Sequence, residues 1–128
     1  LGSFFILDIS IILFSSNPSS KSITHLIIKT NKNILMEGAL GERLKREYSL
    51  KIDEIIAMAN LIYSEPGAVA LENLWNEYIE IARKYQLPFI ATTPTRRANY
   101  ERIIKSGYSE KIILDNVNFL KRIKIVEK

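Results

Sequence analysis

Ile34-Leu35-Met36-Glu37-Gly38-Ala39-Leu40-Gly41-Glu42-Arg43-Leu44 (residues 34–44) and Phe89-Ile90-Ala91-Thr92-Thr93-Pro94-Thr95 (residues 89–95) decide the fold. Each opens with a short apolar run, as a strand does, and stops at residues that turn the chain. The first run reads as a buried strand ending at Glu37-Gly38. The second is apolar and partly β-branched, and it meets Pro94, which has no N–H to give to the middle of a sheet. A helical pattern follows each run. Residues 41–47 begin a polar helix, and residues 97–106 read as a helix that closes on Gly107, a favoured stop.

Between the two runs, residues 52–63 read as an apolar helix and Pro66-Gly67 as a break. A longer helix is expected over residues 68–85. Leu71, Leu74, Trp75, Tyr78, Ala82 and Tyr85 recur there at three- and four-residue spacing, and Glu72, Asn76, Glu80, Arg83 and Lys84 take the other side. Such an aromatic stripe belongs to a core in preference to a ligand platform. A last helix starts at Ser109-Glu110 with Ile112, Ile113, Asn116, Val117, Leu120 and Ile123 on its face. Strand alternating with helix is the signature of parallel α/β folds, where chemistry gathers at the carboxyl ends of strands.

Residues 1–30 form an atypical segment ahead of this pattern. Phe4 to Phe14 is apolar apart from Asp8 and Ser10, Ser15 to Ser22 has linker composition, and Ile23–Ile28 has the content of a short strand. The apolar stretch falls short of the roughly 20 residues of a membrane span. It also lacks the basic start and small-residue cleavage pattern of a secretory signal. It reads either as a strand or helix of the fold or as a non-native or disordered leader, and the default compartment is the cytoplasm.

Composition narrows the chemistry. The 128 residues are 47% hydrophobic and 25% charged, an ordinary globular balance for one domain. There is no cysteine and one histidine, His25, so thiolate zinc sites, disulfides, cysteine nucleophiles and multi-histidine metal sites are excluded within this chain. The net charge of +4 permits an acidic partner, but acidic residues are interleaved with the basic ones.

The two strand ends carry the candidate site. Glu37 at a sheet rim has three readings: it holds a substrate ammonium group, acts as a base, or caps the next helix. Gly38 and Gly41 lack the spacing of a dinucleotide fingerprint. Thr92, Thr93 and Thr95 offer hydroxyls at the second rim. Arg96 and Arg97 either clamp a carboxylate or phosphate or stand as exposed residues at a helix start. With Tyr100, Arg102 and Lys105 they form a basic patch, Arg96 to Lys105, which gives an alternative function: a small α/β module binding an anionic ligand or nucleic acid.

Residues 34–44 resemble the opening of the homocysteine S-methyltransferase family, commonly written L-x-D-G-A-M-G-T-x-L. Residues 89–95 resemble that family's I-I-T-T-N-T. Pro66 to Tyr85, with Glu77-Tyr78, is similar to the helix between them, and Ala98 and Gly107-Tyr108 continue the likeness. The resemblance spans roughly Asn33 to Arg122. It implies a TIM-type (β/α)8 barrel in which a zinc-activated homocysteine thiolate takes a methyl group from a sulfonium, betaine, folate or cobalamin donor, a step of methionine biosynthesis. It places Glu37 and Gly38 with Thr93 and Thr95 at the substrate, Glu37 on the homocysteine amino group.

The sequence departs from the pattern in four places. Glu37 replaces Asp, Glu42 replaces Thr, Pro94 replaces Asn, and Arg96 replaces an aromatic residue. The cysteines that hold the family's zinc have no counterpart here. Since the barrel takes about 250 residues, residues 31–128 are expected to supply its first two to three βα units. On this reading the chain is a fragment that is inactive alone, and the full-length protein is the enzyme. Its partners would be homocysteine or a related thiol and a methyl donor. No membrane is involved, and nucleic acid ranks behind the small molecules.

Overall fold

The structure is a computed structural model that describes residues 11–14 and 33–126. Three strands form one sheet in the order β1-β3-β2: β1 (Ile11–Phe14), β2 (Leu35–Met36) and β3 (Phe89–Thr92). Strands β2 and β3 run parallel, with Leu35 opposite Phe89 and Met36 opposite Ile90. Strand β1 runs antiparallel along the other edge of β3, from Ile11 opposite Thr92 to Phe14 opposite Phe89. Four helices complete the described residues: α1 (Leu40–Tyr48), α2 (Glu65–Lys84), α3 (Tyr100–Ser106) and α4 (Lys111–Val126).

The unit is therefore mixed α/β, and the described residues form an open sheet in place of a barrel. An all-parallel barrel would continue past β3 with a third parallel strand, yet that edge carries antiparallel β1. Of residues 1–30 the structure describes 11–14, which form this strand, and the expected strand at Ile23–Ile28 lies outside the described residues. Met36 is 50% exposed and Leu35 half-buried, with β2 the outer strand among the described residues, so the expectation of a buried strand there is corrected. Among the described residues no helix is long and apolar enough to cross a membrane.

Helix α2 is the spine. Leu71, Leu74, Trp75 and Ala82 of the expected face are buried, joined by Ile79. Tyr85 lies past the helix end and is 62% exposed, so the stripe stops one turn earlier than its spacing implies. The Trp75 ring packs on Phe119 of α4 at 6.2 Å, and Tyr78 stacks on Phe89 of β3 at 6.1 Å. Burial of these aromatic and aliphatic side chains against one sheet is the main stabilising term of the unit. A second, smaller cluster of Ile56, Ala59, Ala98, Ile103 and Ile112 sits under α3 and the start of α4.

Two expectations fail between α1 and α2. Pro66-Gly67 starts the helix. Glu65 and Pro66 occupy its first turn, where proline's missing N–H costs nothing, and the Ser64 hydroxyl accepts the Gly67 N–H at 3.1 Å. Gly67 is needed there, since a Cβ would lie 2.3 Å from the Leu61 carbonyl oxygen. Residues 52–63 are not an α-helix. The Asp53 carboxylate accepts the N–H groups of Ile55 at 2.7 Å and Ile56 at 3.0 Å, a local alternative to helical bonding. Asp53 and Ala57 then exchange backbone bonds, with Ala57 at φ +55°, and only Leu61–Tyr63 makes a 3-10 turn.

Helix α3 starts three residues later than expected. The Ala98 N–H bonds the Thr95 carbonyl at 2.9 Å, which makes Arg96 and Arg97 the tip of a turn, and the Asn99 side chain caps the helix through the Arg102 N–H. Its end is as read from the sequence, with Gly107 at φ +85°.

Candidate functional site

The parallel pairing of β2 with β3 brings two strand ends side by side. One oxygen of the Glu37 carboxylate, Oε1, accepts the Thr92 backbone N–H at 2.8 Å and the Thr92 hydroxyl at 2.6 Å. The other, Oε2, is buried and has no hydrogen-bond partner. A buried carboxylate oxygen without a donor costs free energy, about 1–3 kcal/mol or more for a charged group. The arrangement thus fixes the carboxylate by one oxygen and leaves the second without a donor.

The three readings of Glu37 separate on this geometry. Helix α1 begins at Leu40 with Ala39 at its cap and no side-chain cap, and Glu37 bonds Thr92, so it does not cap the helix. An orphan carboxylate oxygen suits a cationic N–H donor best, because charge-assisted hydrogen bonds are the strong ones. A proton-abstracting role needs a substrate proton within hydrogen-bond reach of the same atom.

Residues 37–39 are held from the other side too. The Tyr78 hydroxyl of α2 donates to the Gly38 carbonyl at 2.6 Å. Ala39 takes the left-handed conformation, φ +52° and ψ +32°, which costs a residue with a Cβ about 1–2 kcal/mol. A Cβ on Gly38 would meet nothing within 4 Å, so Gly38 borders open space.

Of the four residues read as the substrate site, Glu37 and Gly38 lie on one strand end and Thr93 and Thr95 on the neighbouring one. The hydroxyl that meets Glu37 belongs to Thr92. Thr93 is buried, and its hydroxyl bonds that of Thr95 at 2.7 Å, which shapes the turn after β3. Alternation along a strand separates Thr92 from Thr93. Tyr78 is the residue that sequence reasoning missed. Its helical spacing marks a core face, and only the fold shows its hydroxyl reaching back to Gly38.

The basic patch contracts in three dimensions. Arg102 donates to the Ile55 carbonyl at 3.0 Å and so ties α3 to the preceding loop. Arg96 and Arg97 are exposed at the turn tip, with no hydrogen bond or ion pair among the described residues. Behind Ala39 lies an open cleft of about 460 Å³ lined by Glu42, Arg43, Arg46 and Glu47 of α1. Arg43 there bonds Glu47 and, at 3.0 Å, Glu77, with its guanidinium 5.5 Å from the centre of the Tyr78 ring. The hydrogen bond to Glu47 holds the Arg43 proton more firmly than usual, and the same bond holds the Glu47 carboxyl below the ordinary carboxylate range.

The zinc implied by the resemblance does not fit these residues. The chain has no cysteine, and among the described residues no three His, Cys, Asp or Glu side chains group as metal ligands. No family model, no curated protein and no solved structure matches the chain.

Proposed function

We propose that Glu37 holds the ammonium group of an amino-acid thiol, homocysteine or a related compound. On this reading residues 31–128 supply the first two to three βα units of a homocysteine S-methyltransferase-like barrel. The whole protein transfers a methyl group to the thiol, and this chain contributes the grip on the amino end. The observation that carries the reading is the buried, unpartnered Oε2 of Glu37, fixed at the carboxyl end of a strand through Oε1. The parallel β2–β3 pair with both motifs at its carboxyl ends supports it. Activation of the thiol falls to residues outside this chain, and the chain alone binds without turnover.

The test is calorimetric titration of the 128-residue chain with L-homocysteine and with 4-mercaptobutanoate, which keeps thiol and carboxylate but lacks the amine. A charge-assisted hydrogen bond is worth about 1.5–3 kcal/mol, so the amine should improve affinity about tenfold to a hundredfold. Glu37→Gln should erase that margin. Equal affinity for the two ligands would sink the reading, as would methyl transfer to homocysteine by this chain alone.

A further inference from the structure

We infer that the stacked Tyr63–Tyr108 pair and the Asp115 carboxylate form a docking site for an arginine side chain carried by a partner peptide segment. Gly107-Tyr108 stands out in the sequence, and the proposed function leaves it without a role. No residue of this patch takes part in holding Glu37, so the inference stands or falls apart from that reading.

Hydrogen bonds and a ring contact bring these groups together. From the 3-10 turn before α2, the Tyr63 hydroxyl donates to Asp115 Oδ2 of α4 at 2.6 Å. The Tyr63 and Tyr108 rings stack, with centroids 5.7 Å apart and planes 12° from parallel. Asn60 Nδ2 donates to the Tyr108 hydroxyl at 3.4 Å, so each ring is held at its polar end. Tyr108 comes directly after Gly107, whose φ of +85° turns the chain out of α3. Tyr63 stays 49% exposed with one ring face on Tyr108, so ring surface is open to solvent. Leu114, next to Asp115 on α4, is exposed as well. Rings fixed in advance lose little freedom when a partner arrives.

Elsewhere the fold supplies its own cation to an aromatic ring. Arg43 lies 5.5 Å from the centre of the Tyr78 ring, Lys84 5.5 Å from that of Tyr85, and Arg122 5.4 Å from that of Phe119. Among the described residues no cation lies over Tyr63 or Tyr108. Tyr100 is also without one, but no carboxylate bonds its hydroxyl. The Asp115 carboxylate has no ion pair among the described residues, Lys111 one turn earlier included, and its Oδ1 accepts no hydrogen bond there. What stands open is an aromatic surface beside an acceptor-only carboxylate, the complement of a cation with N–H donors. Guanidinium meets both parts at once, since its plane stacks on a ring while its edge donates to the carboxylate. The same carboxylate repels a phosphate backbone, which favours a peptide over nucleic acid. The exposed Leu114 gives the rest of such a segment apolar surface to rest on.

The probe is the capped peptide acetyl-Leu-Arg-Leu-amide, titrated into the 128-residue chain and read by NMR on the tyrosine ring signals. The Tyr63 and Tyr108 signals should shift and saturate. The same peptide with citrulline for arginine keeps a planar end with N–H donors but no charge, and it should bind about tenfold more weakly. The lysine peptide should fall between them, and acetyl-arginine-amide, without the leucines, should bind more weakly than the arginine peptide. Asp115→Asn keeps an oxygen for the Tyr63 hydroxyl and removes the charge. It should lower the arginine peptide to the citrulline level, leave the citrulline peptide unchanged, and melt as the parent chain does. Tyr63→Leu removes the ring and should weaken both peptides. Ring signals that do not move overturn the inference, as do equal binding of the arginine and citrulline peptides and arginine binding that survives Asp115→Asn. Tighter binding of a single-stranded oligothymidylate to the same rings overturns it too, by making the pair a base-stacking platform. A lysine peptide as tight as the arginine one overturns the assignment to guanidinium, and a lone arginine as tight as the tripeptide overturns the assignment to a peptide segment.

Discussion

Residues 37–39 separate two polar regions of opposite character. On one side Arg43 of α1 bonds Glu47 and Glu77 and lies over the Tyr78 ring, so its charge is met on several sides. On the other side Glu37 has one oxygen bonded twice and one buried and orphaned, while Arg96 and Arg97 stand unpaired beyond it. Both regions are polar, and α1 is the more charged: five of its nine residues carry charge, against Glu37, Arg96 and Arg97 on the other side. The difference lies in completion. A network whose members satisfy one another contributes to holding the fold, whereas one with a fixed but unmet acceptor carries a cost that a ligand can relieve. Charge content alone does not mark a site, and neither does an unmet buried atom, since Asn60 Oδ1, Trp75 Nε1 and Asn116 Oδ1 are also without a partner; the Glu37 oxygen differs from them in belonging to a carboxylate at a strand end.

The sharpest way to break this comparison is to substitute one member of each region and read stability and binding together. Glu37→Gln keeps an oxygen for the two Thr92 donors and replaces the orphan charged oxygen by a neutral amide, which is less costly to bury. Stability by chemical denaturation should hold or rise, by up to about 1–2 kcal/mol, while the affinity for an amine falls. A loss of stability on this substitution would mean that the carboxylate is structural, and the two regions would no longer differ in kind.

Tyr78→Phe probes the tether between the regions. It removes the hydroxyl that donates to the Gly38 carbonyl and keeps the ring on Phe89 and under Arg43. The expected cost is about 1 kcal/mol, the net worth of one hydrogen bond. Because the carbonyl belongs to the residue after Glu37, amine affinity should fall with it. Rigid behaviour of the strand end, with stability lowered and affinity unchanged, would show that Thr92 alone positions the carboxylate.

Much of this arrangement was legible in the sequence, for identifiable reasons. Spacing on α2 marked Leu71, Leu74 and Trp75 as core because a long helix on a sheet must bury one stripe. The apolar runs at residues 34–36 and 89–92 marked strands, and their ends marked Glu37 and the threonines. Residues 52–63 were misleading because they have a helix's composition, but Asp53 bonds the backbone two and three residues on. That competition depends on side-chain geometry, which composition does not record. The sequence offered Thr93 and Thr95 as substrate residues and named no partner for Glu37; the hydroxyl that meets it is that of Thr92, since three hydroxyls within four positions leave the choice to the facing of the strand. The Tyr78 tether spans 40 residues of sequence and has no local sign at all. Nor does the apolar start announce that Ile11–Phe14 pairs antiparallel with β3, because strand direction is a property of the assembled sheet.

Arg43→Ala tests the completed region. It removes two ion pairs and a cation–π contact from a partly exposed side chain. Exposed pairs contribute up to about 1 kcal/mol each at low salt, and screening weakens them. The expected result is a stability loss of about 1 kcal/mol that shrinks in high salt, with amine affinity unchanged. An affinity loss equal to that of Glu37→Gln would place both regions in one site and erase the distinction between them.

The smallest effect expected is the pH dependence of the same region. The Arg43 hydrogen bond holds the Glu47 carboxyl below its ordinary value of 4.5 in the folded chain. In the unfolded chain that bond is absent and the carboxyl returns to its ordinary range. Between the two values the unfolded state binds more protons than the folded one, so stability falls as pH falls. The contribution is fully present above about pH 4.5 and is lost progressively as pH drops through the folded value. Tyr63 works in the other direction. Burial first, and its hydrogen bond to Asp115 second, raise its hydroxyl above the ordinary value of 10, so that its contribution is intact at neutral pH and is lost above about pH 10. Glu47→Gln should therefore flatten the acid limb of a melting-temperature profile and leave the alkaline limb alone, while Tyr63→Phe should do the reverse. If Glu47→Gln left the acid limb as steep as before, the Arg43–Glu47 bond would carry no stability in solution, and the paired charges of α1 would be as idle in the fold as Arg96 and Arg97.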